Sequence, residues 1–258
     1  MAVYNEGSRR LQDRFDTRRL ADRIEERFFP RAAIDDSDRA FIEACDMFFL
    51  ATADAEGRPQ CSYKGGEPGF VRVLDERTIA FPNYDGNGMY LSAGNVLVNP
   101  HVGLLFISFE QRKRMRLNGI ASQSEDDPLM AEYPEAQFVT RVEATQVFPN
   151  CPRYIHEYRL VERSRFVPKE ACETPVPAWK TRGWAHDVLR RDDPAYRPDA
   201  EVVDLQGRHD GREAAPERAA RQLDGEADLG MHRVDLPPSG RENCDRVADC
   251  AHLRLHPC

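Results

Sequence analysis

The chain has 258 residues, with 36 Lys and Arg against 44 Asp and Glu and a formal net charge of −8. That length allows one or two domains at about 100–200 residues each. The acidic balance, with a pI near 5.5, argues against a nucleic-acid partner, which a basic face would mark.

In chain order, the first predicted element is a helix from Ser8 to Phe28, whose Leu11, Phe15, Leu20, Ile24 and Phe28 form one apolar stripe on an Arg/Asp/Glu-rich cylinder. The stripe should lie across the core domain or a partner copy. A second helix runs from about Ser37, read as its N-cap, to Cys45, and buries Phe41, Ile42 and Cys45. Strands are expected over Met47–Ala53, Pro59–Lys64, Phe70–Leu74, Thr78–Phe81, Val102–Ser108, Arg114–Ser122 and Gln137–Val147. Asp54–Arg58 reads as a hairpin turn, and an amphipathic helix between Gly88 and Asn99-Pro100 separates the fourth strand from the fifth. Together these strands suffice to close an antiparallel barrel.

Apolar residues recur up to Val188-Leu189 and then thin out. Three segments follow: a helical arm over 1–36, a barrel domain over 37–190, and a disordered or non-native tail over 191–258. From Asp199 the tail is rich in Arg, Asp, Glu, Gly, Ala and Pro, too poor in apolar surface to offset the entropy of ordering, and without periodicity, as out-of-frame translation of a GC-rich gene would be. All four lysines, Lys64, Lys113, Lys169 and Lys180, precede it. With no apolar run of about 18 residues and no charged-then-apolar leader, the protein reads as cytoplasmic, with no membrane partner. Seven cysteines, an odd number, fit reduced thiols better than a disulfide framework.

The stretch that carries chemistry is Phe81-Pro82-Asn83-Tyr84-Asp85-Gly86-Asn87-Gly88 and the helix that follows it. Taken alone, Gly86-Asn87-Gly88 is an ordinary loop. Placed directly before a helix, whose first-turn N–H groups lack partners and whose dipole is positive there, it can hold a phosphate. Arg114 and Arg116 alternate with Met115 and Leu117, so both should face one side of a strand. Cys151 reads as a packing cysteine rather than a nucleophile, for want of a placed His partner. The tail's Cys244, Cys250, His252, His256 and Cys258 lack a CxxC knuckle, and no metal site is assigned.

From about Phe41 to Val161 this order resembles the pyridoxamine 5′-phosphate oxidase-like family, the FMN-binding split barrels. There a Tyr-Thr-Asn-Tyr-x-Ser-Arg-Lys run, a helix and then Asn-Pro-x-Val-x-Leu-x-Phe form the phosphate pocket. Here Phe81 to Gly88 and Asn99-Pro100-His101-Val102-Gly103-Leu104-Leu105-Phe106 stand in those places, with Asn87-Gly88 for the Arg-Lys pair. Lys64 and Arg116 are then candidates to supply the missing charge. Lys113-Arg114-Met115-Arg116-Leu117-Asn118-Gly119 looks like the family's Arg-Gln-Val-Arg-Val-Glu-Gly strand, which reaches the flavin from the partner subunit. Gln146 to Ile155 resembles uncharacterised flavoprotein members rather than the oxidase itself.

The resemblance implies a mainly β fold: a six- to seven-stranded antiparallel FMN-binding split barrel with flanking helices. It implies a homodimeric, FMN-dependent oxidoreductase acting on a small molecule, with no side chain needed as a strong acid or base. Ser62 and Lys64 would face the ring and substrate, Phe81, Pro82, Gly86 and Asn87 the ribityl and phosphate, and Arg114 and Arg116 the neighbouring subunit. Two alternatives keep the fold: a deazaflavin-dependent reductase, for which Arg112, Lys113, Arg114 and Arg116 offer basic groups, and a non-catalytic flavin carrier or sensor.

Overall fold

The computed structural model describes residues 3–29 and 31–198. Seven strands form one antiparallel sheet: β1 (Met47–Ala53), β2 (Pro59–Gly65), β3 (Arg72–Val73), β4 (Thr78–Tyr84), β5 (His101–Ser108), β6 (Lys113–Ser124) and β7 (Ala136–Pro149). Their order is β2-β1-β5-β6-β7-β4-β3. Each expected strand is present. β3 is short, and β4 and β7 each run beyond their expected ends.

The sheet is rolled up. β1 and β4 are four strand spacings apart, about 19 Å if the sheet were flat. Yet the Phe48 ring on β1 meets Phe81 on β4 at 5.0 Å, and also Phe106 on β5 at 5.2 Å and Phe70 at 5.9 Å. These rings, with Leu50, Ile79, Leu104, Leu117, Val142 and Val147, form the barrel core. The roll leaves a seam where edge strand β2 faces β4, closed at one point by Lys64 Nζ donating to Asn83 Oδ1 at 3.4 Å. The fold is thus the expected split barrel.

One bulge helps the roll: the β6–β7 register shifts between Asn118 and Gly119. A Cβ at Gly119 would lie 2.4 Å from the Glu143 carbonyl oxygen, so glycine is required by the close approach of β7.

The helices differ from expectation at two places. The N-terminal segment is two helices, α1 (Glu6–Arg14) and α2 (Arg18–Phe28), rather than one. Asp16 takes a left-handed conformation (φ 51°) at the break, where the apolar spacing lengthens to five between Phe15 and Leu20. Nor does the stripe lie on the barrel, since Leu11, Phe15, Leu20 and Phe28 are all exposed. The next helix, α3 (Asp36–Ala44), is capped by Asp35, not Ser37. Asp35 accepts from the Asp38 amide and Asp38 accepts from the Asp35 amide, a reciprocal box that outcompetes a single serine. As expected, α3 buries Ile42 and delivers Cys45 into the core. There burial pushes the thiol up to about 12, and it is inert.

Helix α4 (Leu91–Val98) packs on β1, β2 and β6 across one end of the barrel. Its Ser92 and Val96 are buried, and Asn95 Nδ2 donates to Thr52 Oγ1 at 3.0 Å. Beyond β7 the chain runs to Pro198 with little regular structure, except a 3-10 turn at Ala178–Thr181. The tail from Asp199 on, with its Cys and His residues, lies outside the described residues. Among the described residues no helix is long and apolar enough to cross a membrane.

Candidate functional site

At the seam, β2, β4 and the start of α4 enclose a cavity of about 210 Å3. β2 alternates, so Ser62 and Lys64 point into it while Cys61 and Tyr63 face solvent. Asn83 and Tyr84 come from the end of β4, and Gly86, Asn87, Gly88, Met89 and Tyr90 from the connecting loop. Leu91, Ser92 and Ala93, the first turn of α4, complete the wall.

The local geometry leaves donors free. Gly88 is left-handed (φ 74°), which glycine takes without strain. Tyr90, the N-cap of α4, is also left-handed (φ 47°), a conformation costly for an aromatic residue, and no side chain caps the helix. The first-turn amides of α4 therefore open toward the cavity at the positive end of the helix dipole. Asn87 shapes the loop: its Oδ1 accepts from the Met89 amide at 3.1 Å. Ser62 Oγ and Ser92 Oγ are hydrogen-bonded across the seam.

Lys64 is half-buried, and burial alone lowers its pKa below the ordinary lysine value. Its ammonium forms no ion pair among the described residues; Asn83 is its partner. A desolvated cation without a counter-charge, beside uncapped amides and two hydroxyls, fits an anion. Among the described residues, no carboxylate or imidazole lines the cavity.

Behind the wall runs a polar chain. Asn83 Nδ2 donates to Gln137 Oε1 at 3.0 Å, and the same oxygen accepts from the Tyr90 hydroxyl at 3.2 Å. Gln137 Nε2 donates to Asp85 Oδ1 at 3.2 Å. Asp85 Oδ2 accepts from Lys180, whose Nζ also reaches Asp193.

Residues 34–163, half of the chain, match the family described as Pyridoxamine 5'-phosphate oxidase. The chain belongs to the pyridoxamine 5′-phosphate oxidase-like family. Among solved structures it is similar to a putative pyridoxamine 5'-phosphate oxidase from Lactobacillus delbrueckii, at 22% identity over 46% of this chain and 95% of that one, TM-score 0.38. It is similar also to HupZ from Group A Streptococcus, at 17% identity over 45% of this chain and 93% of that one, TM-score 0.37. A third is HutZ, the heme storage protein from Vibrio cholerae, at 21% identity over 45% of this chain and 94% of that one, TM-score 0.35. Comparison with curated protein sequences returns no match.

Of the family-derived site residues, Ser62, Lys64, Gly86 and Asn87 come together around the cavity. Phe81 lies beneath it in the core, 2% exposed, and Pro82 is buried on the opposite face of β4. Arg114 and Arg116 stand on the outer face of β6, toward its start, with Met115 and Leu117 buried between and beyond them. Arg114 Nε donates to the Cys151 carbonyl at 3.1 Å, and neither arginine lines the cavity. Sequence reasoning missed Tyr90, Ser92 and Gln137. Ser92 had a usable signal, its place one residue inside the helix start; Gln137, 54 residues from Asn83, had none.

Proposed function

We propose that this chain is an FMN-dependent oxidoreductase of the pyridoxamine 5′-phosphate oxidase-like family, holding the FMN phosphate in the seam cavity and acting on a small molecule. The observation that carries this reading is Lys64: a half-buried ammonium without an ionic partner among the described residues, facing the first turn of α4. An anion there would meet Lys64, the Ser62 and Ser92 hydroxyls and the amides of Leu91, Ser92 and Ala93. Gly86 and Gly88 keep Cβ atoms out of the approach.

The cavity, at 210 Å3, falls below the ~300–1,000 Å3 of sites that enclose a drug-sized ligand. It suits a phosphate and part of a ribityl chain, and the ring would extend beyond it. This supports a homodimeric site in which a second copy covers the ring, with Arg114 and Arg116 reaching across. The exposure of Met89, Tyr90 and Leu91 at the cavity, and of Leu97 and Val98 at the far end of α4, supports the same arrangement. When bound, a flavin supplies hydride-transfer chemistry. The chain's own part is to bind, orient and shield it, consistent with a cavity wall free of carboxylates and imidazoles. We place the activity in the cytoplasm.

Titration with FMN, riboflavin and a deazaflavin, followed by visible absorbance, tests the reading. Uptake of about one FMN per subunit is expected. Lys64→Met should weaken FMN by about tenfold or more, the worth of a charge-assisted hydrogen bond. Affinity should also fall with rising pH before the ordinary lysine value of 10.5, because the lowered pKa lets Lys64 lose its charge early. Preference for the deazaflavin would move the chain to the reductase alternative; FMN uptake without substrate-dependent reduction would make it a carrier or sensor. A monomer by light scattering that still binds FMN normally would remove the roles of Arg114 and Arg116.

A further inference from the structure

Asp85 stands between Tyr84 and Gly86, two residues of the cavity wall, with its carboxylate hydrogen-bonded to Gln137 and Lys180. Left alone it would oppose a phosphate. It is not alone: Lys180 Nζ reaches Asp85 Oδ2 at 2.5 Å and Asp193 Oδ2 at 2.6 Å. Lys180 comes from the 3-10 turn Ala178–Thr181, beyond the family match at 34–163 and 95 residues from Asp85 in sequence. Lys180 and Asp193 are both buried, 7% exposed each. Burial by itself would lower the lysine's pKa, yet the hydrogen bonds to Asp193 and Asp85 raise it above its ordinary value, so it stays charged.

We infer that Lys180 is a positioning residue that gives the cavity its preference for a phosphate: shared between Asp85 and Asp193, it offsets part of the Asp85 charge and, through the Asp85–Gln137 hydrogen bond, holds the polar wall behind the loop. The inference rests on the reading of the cavity as an FMN phosphate site. The C-terminal segment is then part of the specificity apparatus. Its buried Lys180–Asp193 pair presents one ammonium to the loop and fixes where that charge sits.

The test compares FMN with riboflavin, which differ by the phosphate alone, on the full chain. Removing Lys180 by itself would leave Asp193 buried and unpaired, so the pair is replaced together as Lys180→Met with Asp193→Asn. The asparagine keeps an acceptor for the Ala195 amide, now 2.9 Å from Asp193 Oδ1. Preference for FMN over riboflavin should drop about tenfold as the Asp85 charge is unmasked. Adding Asp85→Asn to that variant should restore it to within about threefold of the wild type, which a merely structural role for Lys180 would not do. Asp85→Asn alone, on an exposed loop of an otherwise intact protein, should tighten FMN about threefold or more and leave riboflavin unchanged. An unchanged preference in the double variant, equal weakening of both ligands, no recovery in the triple variant, or no gain with Asp85→Asn each overturns the inference. A wild type that binds neither ligand instead defeats the FMN reading itself.

Discussion

Phe48 in the barrel is fully enclosed by Phe70, Phe81 and Phe106, whereas Arg9 in the N-terminal arm joins two helices by ion pairs to Asp22 and Glu25. Around Arg9 the apolar residues Leu11, Phe15 and Leu20 stay in solvent. The arm meets the sheet through the Phe29 ring, 4.7 Å from Phe148, and leaves an open groove of about 1120 Å3 beside β5 and β6. Both regions are amphipathic in sequence. Helices α1 and α2 bury only Ala21, whereas the barrel gathers its apolar residues into a core, so the barrel should carry the stability while the arm folds as a local unit held by charge.

The sharpest way to break this contrast is Phe48→Ala. Loss of a wholly buried ring should cost about 3–5 kcal/mol, read as a lower midpoint in denaturant unfolding followed by far-ultraviolet dichroism. A loss below about 1 kcal/mol would mean the core collapses around the gap. Next is Gly119→Ala, which sets a methyl against the Glu143 carbonyl; a cost of about 1–3 kcal/mol is expected from the displaced β7.

A smaller effect separates charge from packing inside the barrel domain. Asp127, 4% exposed at its side chain, pairs with Arg141, and the Arg141 hydrogen bond holds its carboxyl below the usual value of 3.8 despite burial. A depressed folded-state pKa adds stability that is complete above 3.8 and lost as pH falls through the folded value. Unfolding midpoints of the wild type should therefore drop more steeply below pH 4 than those of Asp127→Asn. Parallel curves would show that the pair contributes nothing. The smallest effect is Arg9→Ala, which should raise amide exchange in α1 and α2 and leave the barrel's unfolding midpoint in place. A shift of the barrel midpoint would join the two regions into one cooperative unit.

The same contrast governs what the sequence made legible. Strand periodicity and turn glycines located β1, β2, β5 and β6 to within about two residues, because burial of alternate side chains imposes that pattern. The break at Asp16 was hidden, since one five-residue spacing in an apolar stripe reads as drift rather than as a stop. For the site, Lys64 and Gly86 were visible through local order around a strand end and a helix start. The Lys180–Asp85 contact was not, because nothing local marks a lysine that finds its partner 95 residues away.

The sequence holds two tryptophans, Trp179 and Trp184, which flank Lys180 and stack with ring centroids 6.0 Å apart. The barrel has none. Ultraviolet-excited tryptophan emission is therefore a local signal from the C-terminal segment, blind to the core. In a denaturant series, a red shift that precedes the loss of far-ultraviolet dichroism would report that segment lifting from the loop while the barrel stays folded.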